Sequence, residues 1–355
     1  MVSATIDTSA LRHNLQVVRR RAPGARVMAV VKANAYGHGL VAVARALDGA
    51  DAFAVARVDE GLALRRAGIG KPVVLLEGVF DAHQLAAAGA ADFDLVVHCV
   101  EQIELLRASA GTAFKVWLKL DTGMNRLGVR PADFAAAREA LSVLAAVRGP
   151  VNAFTHLACA DEPGREVTAH QLRRFAAATA GLPGERSIAN SAAVLNFPGA
   201  RADWVRPGLL LYGVSPMADA RGADHGLKPV MTLRSRIIAL KWVEAGESVG
   251  YGGTWTASRR TRLAIAAAGY GDGYPRNLAS GAPVLVAGQR APLAGRVSMD
   301  MLGIDVTDLA PSVLPGDPVV LWGEGLPVER VASLASVIPY ELLCGISQRV
   351  AVEVT

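Results

Sequence analysis

The sequence predicts an α/β protein with an N-terminal (β/α)8 barrel of the TIM type and a C-terminal, mostly β domain. Three observations carry this expectation. Short runs dominated by Val, Ala and Leu recur eight times before residue 210, as expected of parallel strands buried on both faces. Alanine-rich segments of helical period lie between them, which suits βα units closing into a barrel better than the rival open, doubly wound sheet. From about residue 226 most of the helical periods stop, and β-type runs alternate with Gly, Pro and Asp.

The strand candidates, in order, are VMAVVK (27–32), AFAVAR (52–57), PVVLLE (72–77), LVVH (95–98), KVWLKL (115–120), VNAFTH (151–156), SIAN (187–190) and DWVRP (203–207). Between them, LVAVARALDGA, DEGLALRRAG, DAHQLAAAG, EQIELLRASA and HQLRRFAAATAG read as helices, several closed by glycine at the C-terminal position. The barrel is placed at 9–225 and the β domain at 226–355, with a short helical piece in 328–347 and a last strand in RVAVEVT. The loop PMADARGADHG separates the two parts.

A chain of 355 residues, 52% apolar and 19% charged, has enough material for a large core. The net charge of +5 is spread over isolated residues and short groups such as Arg19–Arg21, without the clustered stripe that tracks a nucleic-acid backbone. Cys99, Cys159 and Cys344 stand far apart in apolar surroundings and read as reduced core residues of a cytoplasmic protein, with neither disulfide nor metal spacing. The N-terminus has no basic region followed by an apolar stretch, and no run is long enough to span a bilayer.

Polar residues close the strand candidates at Lys32, Arg57, Glu77, His98, Lys119, His156, Asn190 and Arg206. In a barrel these ends meet on one face, where such folds build their chemistry. Any one of them alone reads as a rim residue or a satisfied core group.

The motifs VVKANAYGHG, KLDTGMNRLG, THLACAD, ANSAA, VRPGLLLYG, SVGYGGTWTA, GYGDGYPR and GRVSMD occur in the order found in alanine racemases, the fold-type III pyridoxal-phosphate enzymes. The resemblance runs from ATIDTSALRHNL to PYELLCGISQRV and so covers the whole chain. It implies racemisation of alanine on pyridoxal 5'-phosphate by two bases, supplying D-alanine for peptidoglycan. It also implies a homodimer with shared sites, and that residues 1 to about 8 cross over to join the C-terminal domain.

Residue by residue, the resemblance makes Lys32 both the Schiff-base anchor of the cofactor and one base. Tyr251, from the partner chain, is the other. A phenol with a pKa of about 10 needs help to act near neutrality. His156 resembles the histidine that bonds this tyrosine, and Arg206 the arginine that reaches the cofactor's pyridine nitrogen. Because a guanidinium only donates, that nitrogen would stay unprotonated and the ring would be a weaker electron sink.

Ser191, the amides of Gly208 and Leu209, Tyr36 and Tyr340 resemble the phosphate contacts, which fits the barrel habit of holding phosphate after strands seven and eight. Arg126 resembles the residue that holds the cofactor's phenolic oxygen and the substrate carboxylate, which the Met299 amide also meets. Lys119 resembles a lysine carbamylated in many relatives; as a free amine it would clash with Arg126. Tyr270 and Tyr274 are expected at the entrance, as access or packing residues. Asn125, Trp255 and the end QRVAVEVT depart from the usual pattern. Racemisation of serine or larger amino acids, a decarboxylase or dehydratase of the same barrel type, and a non-catalytic cofactor carrier are the alternatives.

Overall fold

The computed structural model describes residues 2–109, 111–309 and 313–355. Residue 1, expected to cross over with its neighbours, lies outside them. The first strand, β1 (Ser3–Ile6), is followed by a helix over Thr8–Arg21 whose start is set by Asp7. The Asp7 carboxylate accepts from the amides of Ser9 at 2.8 Å and Ala10 at 3.0 Å, satisfying donors the helix cannot pair itself.

Eight parallel strands then close the barrel: β2 (Arg26–Val30), β3 (Ala52–Val55), β4 (Val73–Leu75), β5 (Phe93–Val97), β6 (Val116–Lys119), β7 (Asn152–Phe154), β8 (Arg186–Asn190) and β9 (Trp204–Arg206). Closure is made by Arg26 pairing with Trp204 and Val27 with Val205. All eight expected strands form, most of them shorter than their apolar runs. Trp117 and Met28, on the inward face of their strands, are wholly buried, so the interior is a packed core and not a pore, while Phe93 packs outward on Gly61 of the helix Val58–Arg66. Under the barrel, Glu185 accepts from Lys115 at 2.8 Å and from Trp204 Nε1 at 3.0 Å, and it also pairs with Arg26.

Helices over Leu40–Ala46, Val58–Arg66, Ala82–Ala90, Val100–Ala108 and Val167–Thr179 occupy the expected segments. Those over Phe134–Ser142 and Ser191–Asn196 were not anticipated. Within the expected loop, Gly222–His225 forms a 3-10 turn.

The second part is built on β10 (Met231–Val243), a long strand that pairs on both sides. Next come the small hairpin β11 (Ser248–Val249) and β12 (Trp255–Thr256), then β13 (Thr261–Ala266), β14 (Pro283–Val286), β15 (Gln289–Pro292), β16 (Leu302–Asp305), β17 (Pro318–Trp322) and β18 (Ala351–Val354). The sheet order is β15-β14-β17-β10-β1-β18, with β13 pairing β10 and β16. Ser3 to Ile6 therefore lie between residues 231–234 and 351–354, antiparallel to the first and parallel to the second. Among the described residues no helix is long and apolar enough to cross a membrane.

Candidate active site

The strand β2 stops at Val30, two residues short of the expected end, so Lys32 opens a turn instead of closing a strand. In that turn Ala33, Asn34, Ala35 and Tyr36 all take φ of 53° or 54°, the left-handed region, and Gly37 follows at 80°. A side chain at Gly37 would sit 2.1 Å from the carbonyl oxygen of Leu343, so the turn needs glycine there.

Lys32 faces a cavity of 510 Å³ at the C-terminal mouth of the barrel. Its walls bring together Tyr36, Lys119, Arg126, His156, Ser191, Arg206, Gly208 and Tyr340, all singled out from the sequence. Glu77 and Asn190 also line it. Arg57 instead lines a separate groove, and His98 is buried with Nε2 3.1 Å from the Glu77 carbonyl, a satisfied core group. Leu209 is wholly buried beside Gly208 and begins a 3-10 turn.

The cavity is rich in cationic groups. Arg206 is 3% exposed, and its terminal nitrogens donate to Ser187 Oγ at 2.6 Å, Thr155 O at 2.6 Å and Ile188 O at 3.2 Å. Its guanidinium lies 3.8 Å from the centroid of Phe154, a platform that the sequence reading missed because Phe154 looked like one more apolar strand residue. Burial lowers the Arg206 pKa to about 9, which leaves it charged at neutral pH. Lys119 is brought down to about 8 by burial and then by Arg126 and Arg206.

Burial, and after it Arg206 and the other cations, hold the His156 imidazole well below its ordinary range. His156 Nδ1 lies 3.4 Å from Arg206 Nη2. A guanidinium only donates, so Nδ1 accepts and the neutral ring carries its proton on Nε2.

The cavity also carries hydroxyls, those of Ser191, Tyr36 and Tyr340. Ser191 Oγ accepts from the Gly208 amide at 2.9 Å. A Cβ on Gly208 would lie 2.4 Å from Tyr36 Oη, so only glycine lets that hydroxyl sit against the backbone here. Burial raises the Tyr36 phenol, and lifts Tyr340 to about 12, so both stay protonated and available to donate. The rings of Tyr36 and Tyr340 are 5.7 Å apart, and Tyr212 packs 4.7 Å behind Tyr36.

Tyr251 and Met299 stand apart from the cavity, on the β domain, with 68% and 52% of their surface exposed. Tyr270 is partly exposed. Tyr274, expected at the entrance, is instead buried and stacked on Trp322 with centroids 6.0 Å apart, a packing role. The cysteines also differ from expectation. All three are free, but none is fully buried, and Cys344 lies on the cavity wall because its short helix, Pro339–Cys344, borders the mouth. Asn125, where related motifs carry glycine, has φ of 55°, a conformation that asparagine tolerates better than most side chains.

With this geometry in view, comparison with known proteins is decisive. The model of the alanine racemase N-terminal domain matches residues 6–216, and that of the C-terminal domain matches 230–354. The chain belongs to the alanine racemase family. It is 52% identical over 353 residues to the biosynthetic alanine racemase of Escherichia coli K12, covering 99% of this chain and 98% of that one. Among solved structures, the family's biosynthetic member from Pseudomonas aeruginosa superposes with a TM-score of 0.96 at 48% identity, covering 100% of this chain and 99% of the other. The Acinetobacter baumannii enzyme follows at 0.94 and 40%, with coverage of 100% and 99%. Among the described residues no group of His, Cys, Asp and Glu is placed to hold a metal.

Proposed function

We propose that the chain racemises alanine, interconverting the L and D forms and supplying D-alanine for peptidoglycan. In this reading it uses pyridoxal 5'-phosphate held in the barrel, residues 9–225, and a second base from the C-terminal domain, residues 226–355 with 1–8, of a second copy. The observation that carries it is the primary amine of Lys32 in one cavity with Arg126, Lys119 and Arg206 and with the hydroxyls of Tyr36, Ser191 and Tyr340.

The residues present fit that cofactor. Ser191, the Gly208 and Leu209 amides, Tyr36 and Tyr340 would hold its phosphate, and glycine at 208 lets the Tyr36 hydroxyl gather beside those amides. Arg126 would hold its phenolic oxygen and the substrate carboxylate, while Arg206, which only donates, would meet its pyridine nitrogen. Lys32 would tether it. When bound, the cofactor supplies an electron sink that makes the Cα proton removable.

The chain's own groups then divide the proton traffic. Lys32 Nζ serves one face of Cα, taking the proton from D-alanine. Tyr251 Oη of the second copy serves the other, taking it from L-alanine. His156 meets that phenol with the Nε2 proton its tautomer provides, which favours the phenolate over the phenol. The Met299 amide from the same second copy meets the substrate carboxylate. As a carbamate, Lys119 would turn from a cation that repels Arg126 into an anion that orients it. The free cysteines suit a reducing, cytoplasmic compartment.

Chiral chromatography of L- and D-alanine incubated with the cofactor-loaded protein tests the activity, with serine, lysine and arginine as comparators. Conversion of alanine in both directions is expected. Solvent deuterium incorporation tests the bases: in Tyr251→Phe, exchange from L-alanine should fall at least about 10²-fold while exchange from D-alanine through Lys32 persists. Equal losses for both enantiomers would remove Tyr251 from its role as a face-specific base.

A further inference from the structure

Among the described residues, Ala33 to Tyr36 are the one run of successive non-glycine residues with positive φ. In the left-handed region each Cβ presses on the following carbonyl oxygen, so such a run persists only where its surroundings over-determine it. Several tethers do so here. The Ala33 amide donates to Glu60 Oε1 at 2.6 Å, and Asn34 Oδ1 accepts from the Leu40 amide at 2.8 Å. Both hold the start of the turn.

The far end is held by His38, which is wholly buried. Its Nδ1 lies 3.1 Å from the carbonyl oxygen of Ala35 and 2.8 Å from that of Tyr36. Carbonyls only accept, so Nδ1 carries the proton and donates to both. Burial lowers its pKa to about 4, so the ring is neutral at working pH and Nε2 keeps a lone pair. That nitrogen has no hydrogen-bond partner. An apolar side chain would fill the site without an unsatisfied nitrogen, which normally carries a cost, so the gain from a histidine lies in the Nδ1 donor.

The same ring packs against Tyr212, tilted by 33° with centroids 4.6 Å apart. Tyr212 in turn donates its hydroxyl to the Val30 carbonyl at 3.0 Å and packs on Tyr36. Lys32 is thereby bracketed: Val30 before it and Tyr36 after it are both fixed by the His38–Tyr212 pair.

We infer that His38 is a positioning residue for racemisation, whose Nδ1–H locks the left-handed turn so that Lys32 and Tyr36 face the cavity in working geometry. The inference rests on the activity proposed above. His38 touches no reacting atom and acts through the turn. Small misplacements of a reacting group cost on the order of 10²-fold in rate.

The test compares His38→Asn, whose amide nitrogen sits near the position of Nδ1, with His38→Gln, whose amide nitrogen sits near that of Nε2. Each is studied as the full chain loaded with cofactor, by alanine kinetics and by amide hydrogen exchange of the peptide spanning residues 29–40 without substrate. In the Gln variant kcat should fall about 10²-fold with KM within about threefold, and the amides of 33–39 should exchange at least about tenfold faster. The Asn variant should stay within about fivefold of the parent in both measurements.

If the Gln variant does not fold, His38→Leu, which is close in volume and lacks a donor, replaces it. Equal impairment of the Asn and donor-displaced variants, or unchanged exchange in the latter, would overturn the inference. A parent protein that fails to racemise alanine while the exchange contrast persists would point to failure of the functional reading and not of the lock.

Discussion

Mixing two inactive variants gives the sharpest test of whether the site is shared between chains. Tyr251 and Met299 are exposed and absent from the walls of the Lys32 cavity, so under the proposed mechanism the β domain of a second copy would have to supply them. Lys32→Ala destroys the barrel half of a site and spares the β half, whereas Tyr251→Phe does the reverse. Random reassortment of equal amounts gives mixed dimers as about half of the population. Each mixed dimer holds one site with two defects and one with none. Half of the dimers with half of their sites intact gives about a quarter of the activity of the unmodified protein. The assay is alanine racemisation before and after subunit exchange, with exchange verified by native mass spectrometry of differently tagged chains. Recovery near one quarter is expected. Verified mixed dimers without recovered activity would refute shared sites and with them the role given to Tyr251.

Gly208→Ala should weaken pyridoxal-phosphate binding at least about tenfold in a fluorescence titration, because the new Cβ meets Tyr36 Oη and that ring is held between Tyr212 and Tyr340. Lys119 at about 8 is neutral in roughly a tenth of molecules at pH 7, far more than an ordinary lysine, so activity of carbon-dioxide-depleted protein should rise on adding bicarbonate. Lys119→Gln should not respond. For Glu185, burial acts to raise the pKa, but bonds from Lys115, Arg26 and Trp204 outweigh it and bring it to about 2. A depressed acid stabilises the fold above its unfolded value of about 4.3 and loses that contribution as pH falls towards 2. Denaturant titration should show Glu185→Gln about 1–2 kcal/mol less stable at pH 7, after allowance for solvent screening, with the gap closing in that acid window.

The site was legible in the sequence to the extent that its chemistry is local. Lys32, Lys119, His156 and Arg206 follow or close apolar runs, and parallel strands buried on both faces leave few other places for a polar residue. Eight such runs separated by helical periods were enough to place these groups on one face of a barrel. Whole-chain resemblance added Arg126, Ser191 and Tyr251 with the roles proposed for them, because motif order carries information that periodicity lacks.

What only the tertiary structure decided concerns groups whose meaning depends on a neighbour distant in the chain. Phe154 is one apolar residue among many until β7 and β9 place it under Arg206. Tyr274 and Tyr270 share a motif, yet one is buried on Trp322 and the other reaches solvent. The tautomer of His156 follows from Arg206, fifty residues away, and the orphaned nitrogen of His38 from its enclosure beside Tyr212. Local pattern records whether a side chain is to be buried. Which donor or acceptor it meets there is set by long-range packing, and that choice decides whether a buried polar group is neutral filling or part of the chemistry.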